Sequence, residues 1–392
     1  MMKLYTSIVL LLVLCWLPTK AQNTIGTVIY DQELVAEGYN LMYPINQSNV
    51  YLLNNCGEVV HTWEGENYEP GSSAYLLENG NLLRTGSLGP MSNPILFAGG
   101  ANDIIQILDW DNNLLWQYEL NNENYRLHHD MKYLANGNLL LIAWERKTNE
   151  EAIAAGRNPD LLVGNEGMWS EYVFEVQPEL GTDNYEIVWE WHAWDHLVQD
   201  FDETKDNYGV IADSPSRIDV NYGDQNDLTD WLHINSVDLF PGLEFLLLSV
   251  PHFNEIWIID HSTTSEQAAG SQGGYSGRGG DLMYRWGNPQ AYDRGTEEDQ
   301  QLFYQHNVHY IDIGLTPGSS PDYGKIMIFN NKVDNNHSEV IIINPTFFDY
   351  YWSFPLPPDG TYDPVEPEWT YAADIPTDLF SFVMGGAQRL PN

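Results

Sequence analysis

The chain has 392 residues, of which 16 are basic and 56 acidic, for a formal net charge of −40. That sign rules against a nucleic-acid partner, because phosphate binding needs clustered Lys and Arg. The length fits one large domain or two ordinary ones, and 14 Trp and 24 Tyr within 43% hydrophobic residues are ample for a core.

At the N-terminus, Lys3 precedes an apolar run from Ile8 to Leu17, and Thr19-Lys20-Ala21 ends in a small residue. This pattern reads as a secretory signal peptide over residues 1–21, leaving 22–392 as a single domain of an exported protein, periplasmic or secreted. The run is too short for a comfortable membrane span, and no later stretch is longer. After cleavage only Cys56 remains, so no internal disulfide is expected.

Downstream, short β-type runs alternate with Asn-Gly, Asp-Asn and Pro-Gly turns, which predicts an all-β chain. The runs fall into two alternating kinds of hairpin. One kind includes "AYLLENGNLLRTG" (Ala74–Gly86), "HHDMKYLANGNLLLIAWE" (His128–Glu145), "HINSVDLFPGLEFLLLS" (His233–Ser249) and "HNVHYIDIGLTPGSSPDYGKIMIF" (His306–Phe329). The other has an acidic turn and a strand ending in tryptophan. Examples are "NVYLLNNCGEVVHTWE" (Asn49–Glu64), "DIIQILDWDNNLLWQYE" (Asp103–Glu119) and "YVFEVQPELGTDNYEIVWEW" (Tyr172–Trp191). Two hairpins per unit make a four-stranded sheet, and such sheets in series predict a β-propeller. Near the C-terminus, Leu390-Pro391-Asn392 matches Leu134-Ala135-Asn136, so the last blade is expected to be truncated within its first hairpin. Two insertions, Ala193–Asp230 and Ser262–Gly280, are expected as loops over one face of the ring.

Aligning the first hairpins brings His129, His233 and His306 to one position at the start of the hairpin, where the other copies have Ser72 and Gly385. The first strand of each propeller blade lines the central channel, so three histidines distant in sequence should converge there. Two chemistries suit them. Three neutral imidazoles can hold zinc or copper, with His128 and Asp130 as further ligands. Alternatively, one imidazole is a nucleophile toward an anionic group and the others donate hydrogen bonds to it. Spacing alone does not choose. In "FYQHNVHYI" (Phe303–Ile311), a regular strand would put His309 on the face opposite His306, unless a bulge intervenes. The aromatic run "WEWHAWDHL" is either a stacking wall for an aromatic ligand or loop packing.

The segments "HHDMKYLANGNLLLI", "DWLHINSVD", "HFNEIWIIDH", "MYRWGNPQAYDRGT" and "FYQHNVHYI" together resemble the bacterial arylsulfotransferase family, from about Asn49 to the C-terminus. The resemblance implies a six-bladed propeller. It also implies transfer of a sulfuryl group from a phenolic sulfate ester to a phenol through a covalent sulfohistidine, with no cofactor or metal. On this reading His306 is the nucleophile, and His129 and His233 hold the sulfuryl oxygens. His128, His252, Asn235 and His309 are counted as substrate-binding residues, His309 also as a candidate base for the acceptor. The expected partners are a small aryl sulfate and a phenol acceptor, and the sequence carries no signal of oligomeric state. The family has an arginine where this chain has Pro251, and proline has no side-chain donor to offer an anion. Two alternatives stand beside this reading: an exported propeller that binds a sulfated or phenolic ligand without turnover, and a metal-dependent hydrolase on the same histidines.

Overall fold

The computed structural model describes residues 30–65, 68–165, 167–223, 229–240, 242–311 and 320–390. The expected signal peptide lies outside the described residues, as do Pro391, Asn392 and residues 312–319. Five antiparallel sheets follow one another along the chain. Blade I has three strands, β1 (Tyr39–Met42), β2 (Val50–Asn54) and β3 (Val59–Trp63). Blade II has four, β4 (Glu69–Leu76), β5 (Leu82–Ser87), β6 (Ile104–Leu108) and β7 (Leu114–Glu119). Blade III comprises β8 (Tyr125–Tyr133), β9 (Leu139–Lys147), β10 (Met168–Pro178) and β11 (Tyr185–His192). A short parallel pair, β12 (Leu197–Val198) and β13 (Ile218–Asp219), precedes blade IV. Blade IV is β14 (Ser236–Phe240), β15 (Phe245–Val250), β16 (Glu255–Asp260) and β17 (Tyr284–Trp286). Blade V is β18 (His306–Tyr310), β19 (Ile326–Val333), β20 (His337–Ile343) and β21 (Trp369–Tyr371). The first strands β4, β8, β14 and β18 lie beside one another in chain order, which makes the assembly a propeller.

The core fills the spaces between blades. Leu140, Ile142 and Val173 of blade III meet Val237, Leu246 and Leu248 of blade IV. Tyr310, Ile326 and Ile328 of blade V face Phe245, Leu247 and Ile256 of blade IV. Successive residues of one strand serve opposite neighbours, because side chains alternate across a pleated sheet. The recurrent tryptophans have a matching role. Trp63, Trp116, Trp189 and Trp286 are buried, and each indole N–H reaches the outer connection of the next blade. Their acceptors are Asp109 O, Asn184 O, Thr263 Oγ1 and Pro364 O, at 2.7–3.0 Å. A buried indole needs an acceptor, and here the acceptor ties one blade to the next.

The six-blade expectation is not met among the described residues, where five antiparallel, blade-forming sheets are found. The C-terminal segment nevertheless covers blade V. Leu379 and Ala387 pack on Ile311, Met327, Phe329 and Ile342, the face turned away from blade IV. Cys56 is exposed and unpaired. No helix among the described residues is long and apolar enough to cross a membrane.

Candidate functional site

Three local devices bring the histidines to the ring's inner strands. The β8–β9 register slips between Leu127 and Met131, so His128, His129 and Asp130 sit in a bulge. The β18–β19 register slips between His306 and His309. His233 lies three residues ahead of β14. His129 (φ 49°) and His233 (φ 56°) are both left-handed, as is Asn307 (φ 50°). Such backbones re-aim a side chain at a local cost and recur where function requires it.

The rings meet. His129 and His233 are 4.5 Å apart between centroids, edge to face, and His252 stacks on His233 at 4.7 Å. Tyr304, left-handed at φ 60°, bridges His252 (5.7 Å), His233 (6.5 Å) and His306 (5.8 Å). Trp144 closes the floor, stacked on His128 at 4.3 Å. His129 fits because residue 100 is glycine. A Cβ there would lie 2.2 Å from His129 Nε2, and Gly100 has φ +80°. Its carbonyl also accepts from the His129 amide at 2.7 Å.

Hydrogen bonds set the tautomers. His306 Nδ1 faces two acceptors, Asn331 Oδ1 at 2.8 Å and Tyr304 O at 3.2 Å. Both Asn331 amide protons go to carbonyls, those of Ser381 and Met384, so its oxygen faces the ring. His306 Nδ1 is therefore the protonated nitrogen, and Nε2 carries the lone pair. The Met384 amide approaches that lone pair at 3.3 Å. Burial, aided by the charges of His233 and Lys332, pulls the His306 pKa down to about 4 despite the Asn331 bond. The ring is neutral at pH 7.

Two buried carboxylates behave oppositely. Asp230, from the end of the 193–230 insertion, accepts from His233 Nδ1 at 2.5 Å. Burial alone would push Asp230 up, but the His233 charge and hydrogen bond hold it below the usual carboxylate range. Burial would likewise depress His233, and the Asp230 carboxylate outweighs it, so His233 sits above its ordinary 6.5. His252 Nδ1 donates to Asp230 O at 2.8 Å. Glu171, fully buried, is pushed well up by desolvation and by the charge of Asp230. It lies 2.8 Å from His128 Nε2, and burial lowers His128 to about 3. A Glu171 that keeps its proton donates to His128 Nε2. His128 Nδ1–H then donates to His129 Nδ1 at 2.9 Å, which leaves His129 with an Nε2–H. Burial, with the neighbouring histidine charges, keeps His129 well below 6.5 and neutral. Pairs of groups with pKa values driven apart mark sites built for proton and charge management.

The structure thus gathers His128, His129, His233, His252 and His306 in one cluster. Asn235 stands beside it, donating to Gln305 O at 2.7 Å and holding the residue before His306. His309 is not brought in. The bulge pairs it with Met327, and its Nδ1 bonds Asn307 O at 3.0 Å. The aromatic run resolves as packing: Trp191 donates to Gly280 O, and His196 is buried between Asp281 and Ala268 O. Pro251 follows β15 in the turn leading to Asn254. Among the described residues no group of three His, Cys, Asp or Glu is arranged to hold a metal ion. Sequence reasoning missed Asp230, Glu171, Tyr304, Asn331 and Lys332. Of these, Asp230 in "DWLH" had a usable signal, since an acid three residues before a candidate histidine is in reach of it.

A propeller is not identified by its ring alone, and here the ring carries a buried histidine cluster with one neutral imidazole whose tautomer is fixed by its partners. The chain belongs to the arylsulfotransferase family, whose model (Arylsulfotransferase, ASST) matches residues 35–345. Family membership points to a sulfotransferase acting on small molecules. A search of curated protein sequences found no match. Among solved structures the chain is similar to Kuenenia stuttgartiensis hydrazine synthase, at 11% identity and TM-score 0.41, covering 78% of this chain and 67% of that one. It is also similar to the dihydro-heme d1 dehydrogenase NirN in complex with DHE, at 8% identity and TM-score 0.33, covering 84% and 47%.

Proposed function

We propose that this protein is an aryl-sulfate sulfotransferase that works outside the cytoplasm through a covalent sulfohistidine on His306. The observation that carries the reading is the His306 ring: neutral, with its proton fixed on Nδ1 by Asn331 and Tyr304 O, which leaves the lone pair on Nε2, where the Met384 amide approaches at 3.3 Å.

In the first half-reaction the Nε2 lone pair attacks the sulfur of an aryl sulfate. The N–S bond forms, the S–O bond to the ring breaks, and the phenolate departs with that electron pair. His129 Nε2–H and the His233 imidazolium, paired with Asp230, donate to the sulfuryl oxygens as charge builds on them. Preorganised donors of this kind lower a barrier by roughly 3–4 kcal/mol each. Asn331 Oδ1 stabilises the positive charge on Nδ1–H as the nitrogen bonds sulfur. In the second half-reaction a phenol oxygen attacks sulfur, its proton passes to a base, and His306 leaves as neutral imidazole. The contact of Met384 N–H with Nε2 is long enough to yield to a substrate.

The test is mass spectrometry of protein quenched after mixing with p-nitrophenyl sulfate. The expected result is a mass gain of one SO₃ group localised to His306, absent in His306→Ala. A His306→Ala variant with full transfer activity, or turnover without any adduct, sinks the mechanism.

A further inference from the structure

We infer that Lys332 is the cation that binds the anionic group of an aryl sulfate beside His306, with Tyr304 and Phe382 as the walls of the same subsite; this rests on the sulfotransferase reading. The β19–β20 register slips between Asn330 and Val333, and that bulge presents two consecutive residues to the site. Asn331 takes His306. Lys332, tied down by its amide to Phe303 O at 2.9 Å, turns its ammonium to two aromatic faces. Lys332 Nζ lies 3.6 Å from the Tyr304 ring centroid and 4.2 Å from that of Phe382.

What is unusual is the company this lysine keeps. With 56 acidic residues against 16 basic ones, a cation has carboxylates in every direction. Lys132, Lys147 and Lys325 each hold a carboxylate oxygen within 3.2 Å. Among the described residues Lys332 has no carboxylate partner, and it is half-buried against rings instead. Its charge is felt at His306. Partial burial pulls its own pKa down, the mark of an ammonium short of counter-charge. An acidic protein repels an anionic substrate at long range, so a local uncommitted cation is needed to receive one. Aromatic faces hold such a cation in place without neutralising it, as a carboxylate would. The Tyr304 ring that holds the ammonium also lies 5.8 Å from the His306 ring, 5.7 Å from His252 and 6.5 Å from His233, so the ammonium and the candidate nucleophile share one aromatic neighbour. Pro251 offers no charge, and Lys332 supplies one from a different blade.

The experiment is calorimetric titration with p-toluenesulfonate, an aryl anion that cannot transfer its sulfonyl group, on the parent, Lys332→Met, Lys332→Arg and His306→Ala. We expect affinity to fall about tenfold in Lys332→Met, the worth of one charge-assisted contact, and to be largely restored in Lys332→Arg. The parent's affinity should fall with added NaCl, and Lys332→Met should lose most of that salt dependence. Uncharged p-cresol should bind the parent and Lys332→Met alike, which a merely structural prop for Tyr304 would not allow. Lys332→Gln serves if the Met variant does not fold. Unchanged p-toluenesulfonate affinity in the variants, or no salt-sensitive binding by the parent, overturns the inference. Because the ligand does not react, a failed sulfo-adduct on His306 leaves this result standing, and a weak Lys332 effect leaves the adduct test standing.

Discussion

Asn331 Oδ1 accepts the Nδ1 proton of His306 at 2.8 Å while both of its own amide protons are held by carbonyls of the C-terminal segment. The direction of that bond is therefore fixed, and with it the nitrogen of His306 that carries the lone pair. Removing the acceptor releases the tautomer. Asn331→Ala should lower the rate of p-nitrophenol release from p-nitrophenyl sulfate about tenfold or more, the worth of one or two kcal/mol. Asn331→Asp should instead raise the basicity of His306. The imidazole nitrogen shifts by NMR should show the Nδ1–H form in the parent and a mixture in Asn331→Ala. A single unchanged tautomer in the alanine variant would sink the assignment.

Much of this arrangement was legible in the sequence, and what was not has a physical reason. The two hairpin types alternate because each blade needs an inner and an outer pair, and the outer tryptophans repeat because each donates to the next blade. The histidines aligned because equivalent inner strands converge. Partners such as Asn331, Glu171 and Lys332 carry no repeat signal. Asn331 and Lys332 act through a bulge, which breaks the period-two alternation by which a strand is read. Glu171 sits within "WSEYVFEV" like any outward polar residue of a strand, yet it is fully buried.

The two titrations at the site define a pH window for activity. His306 must be neutral to attack, and its pKa is near 4, so kcat/KM should fall as pH drops through about 4. His233 must be charged, and Asp230 holds its pKa above 6.5, so activity should fall again at some pH above 6.5. A pH profile of kcat/KM for p-nitrophenyl sulfate is expected to be bell-shaped between those limits. Asp230→Asn removes the carboxylate that charges His233, so the alkaline limb should move to lower pH while the acid limb stays near 4. An alkaline limb that ignores Asp230→Asn would exclude this division of roles.

Gly100 and Gly99 form a matched pair of substitutions. A Cβ on Gly100 would lie 2.2 Å from His129 Nε2, on a backbone at φ +80°, whereas a Cβ on Gly99 meets nothing within 4 Å. Gly100→Ala should cost about 1–3 kcal/mol of stability and displace the His129 ring. Gly99→Ala should stay within about 0.5 kcal/mol of the parent. Chemical denaturation and p-nitrophenol release, measured together, check both: Gly100→Ala should lose stability and most of its activity, and Gly99→Ala neither.

The protonation of Glu171 is open to a substitution that mimics it. If Glu171 is a neutral acid, its Oε2–H donates to His128 Nε2 while Oε1 accepts the Ile234 amide at 2.9 Å. A glutamine amide offers the same donor and the same acceptor in the same shape. Glu171→Gln should therefore change stability by less than about 1 kcal/mol and preserve the relay that leaves His129 with its Nε2 proton. Glu171→Ala strips His128 Nε2 and the Ile234 amide of their partners in a fully buried place. It should cost about 2–4 kcal/mol in urea denaturation and lower activity through a freed His128–His129 pair. Were Glu171 ionised, His128 would donate to it, His129 Nε2 would be a bare lone pair, and the glutamine variant would be penalised much as the alanine one is. Similar losses in the two variants would thus reverse the polarity of the chain and remove His129 from the donors to the sulfuryl oxygens.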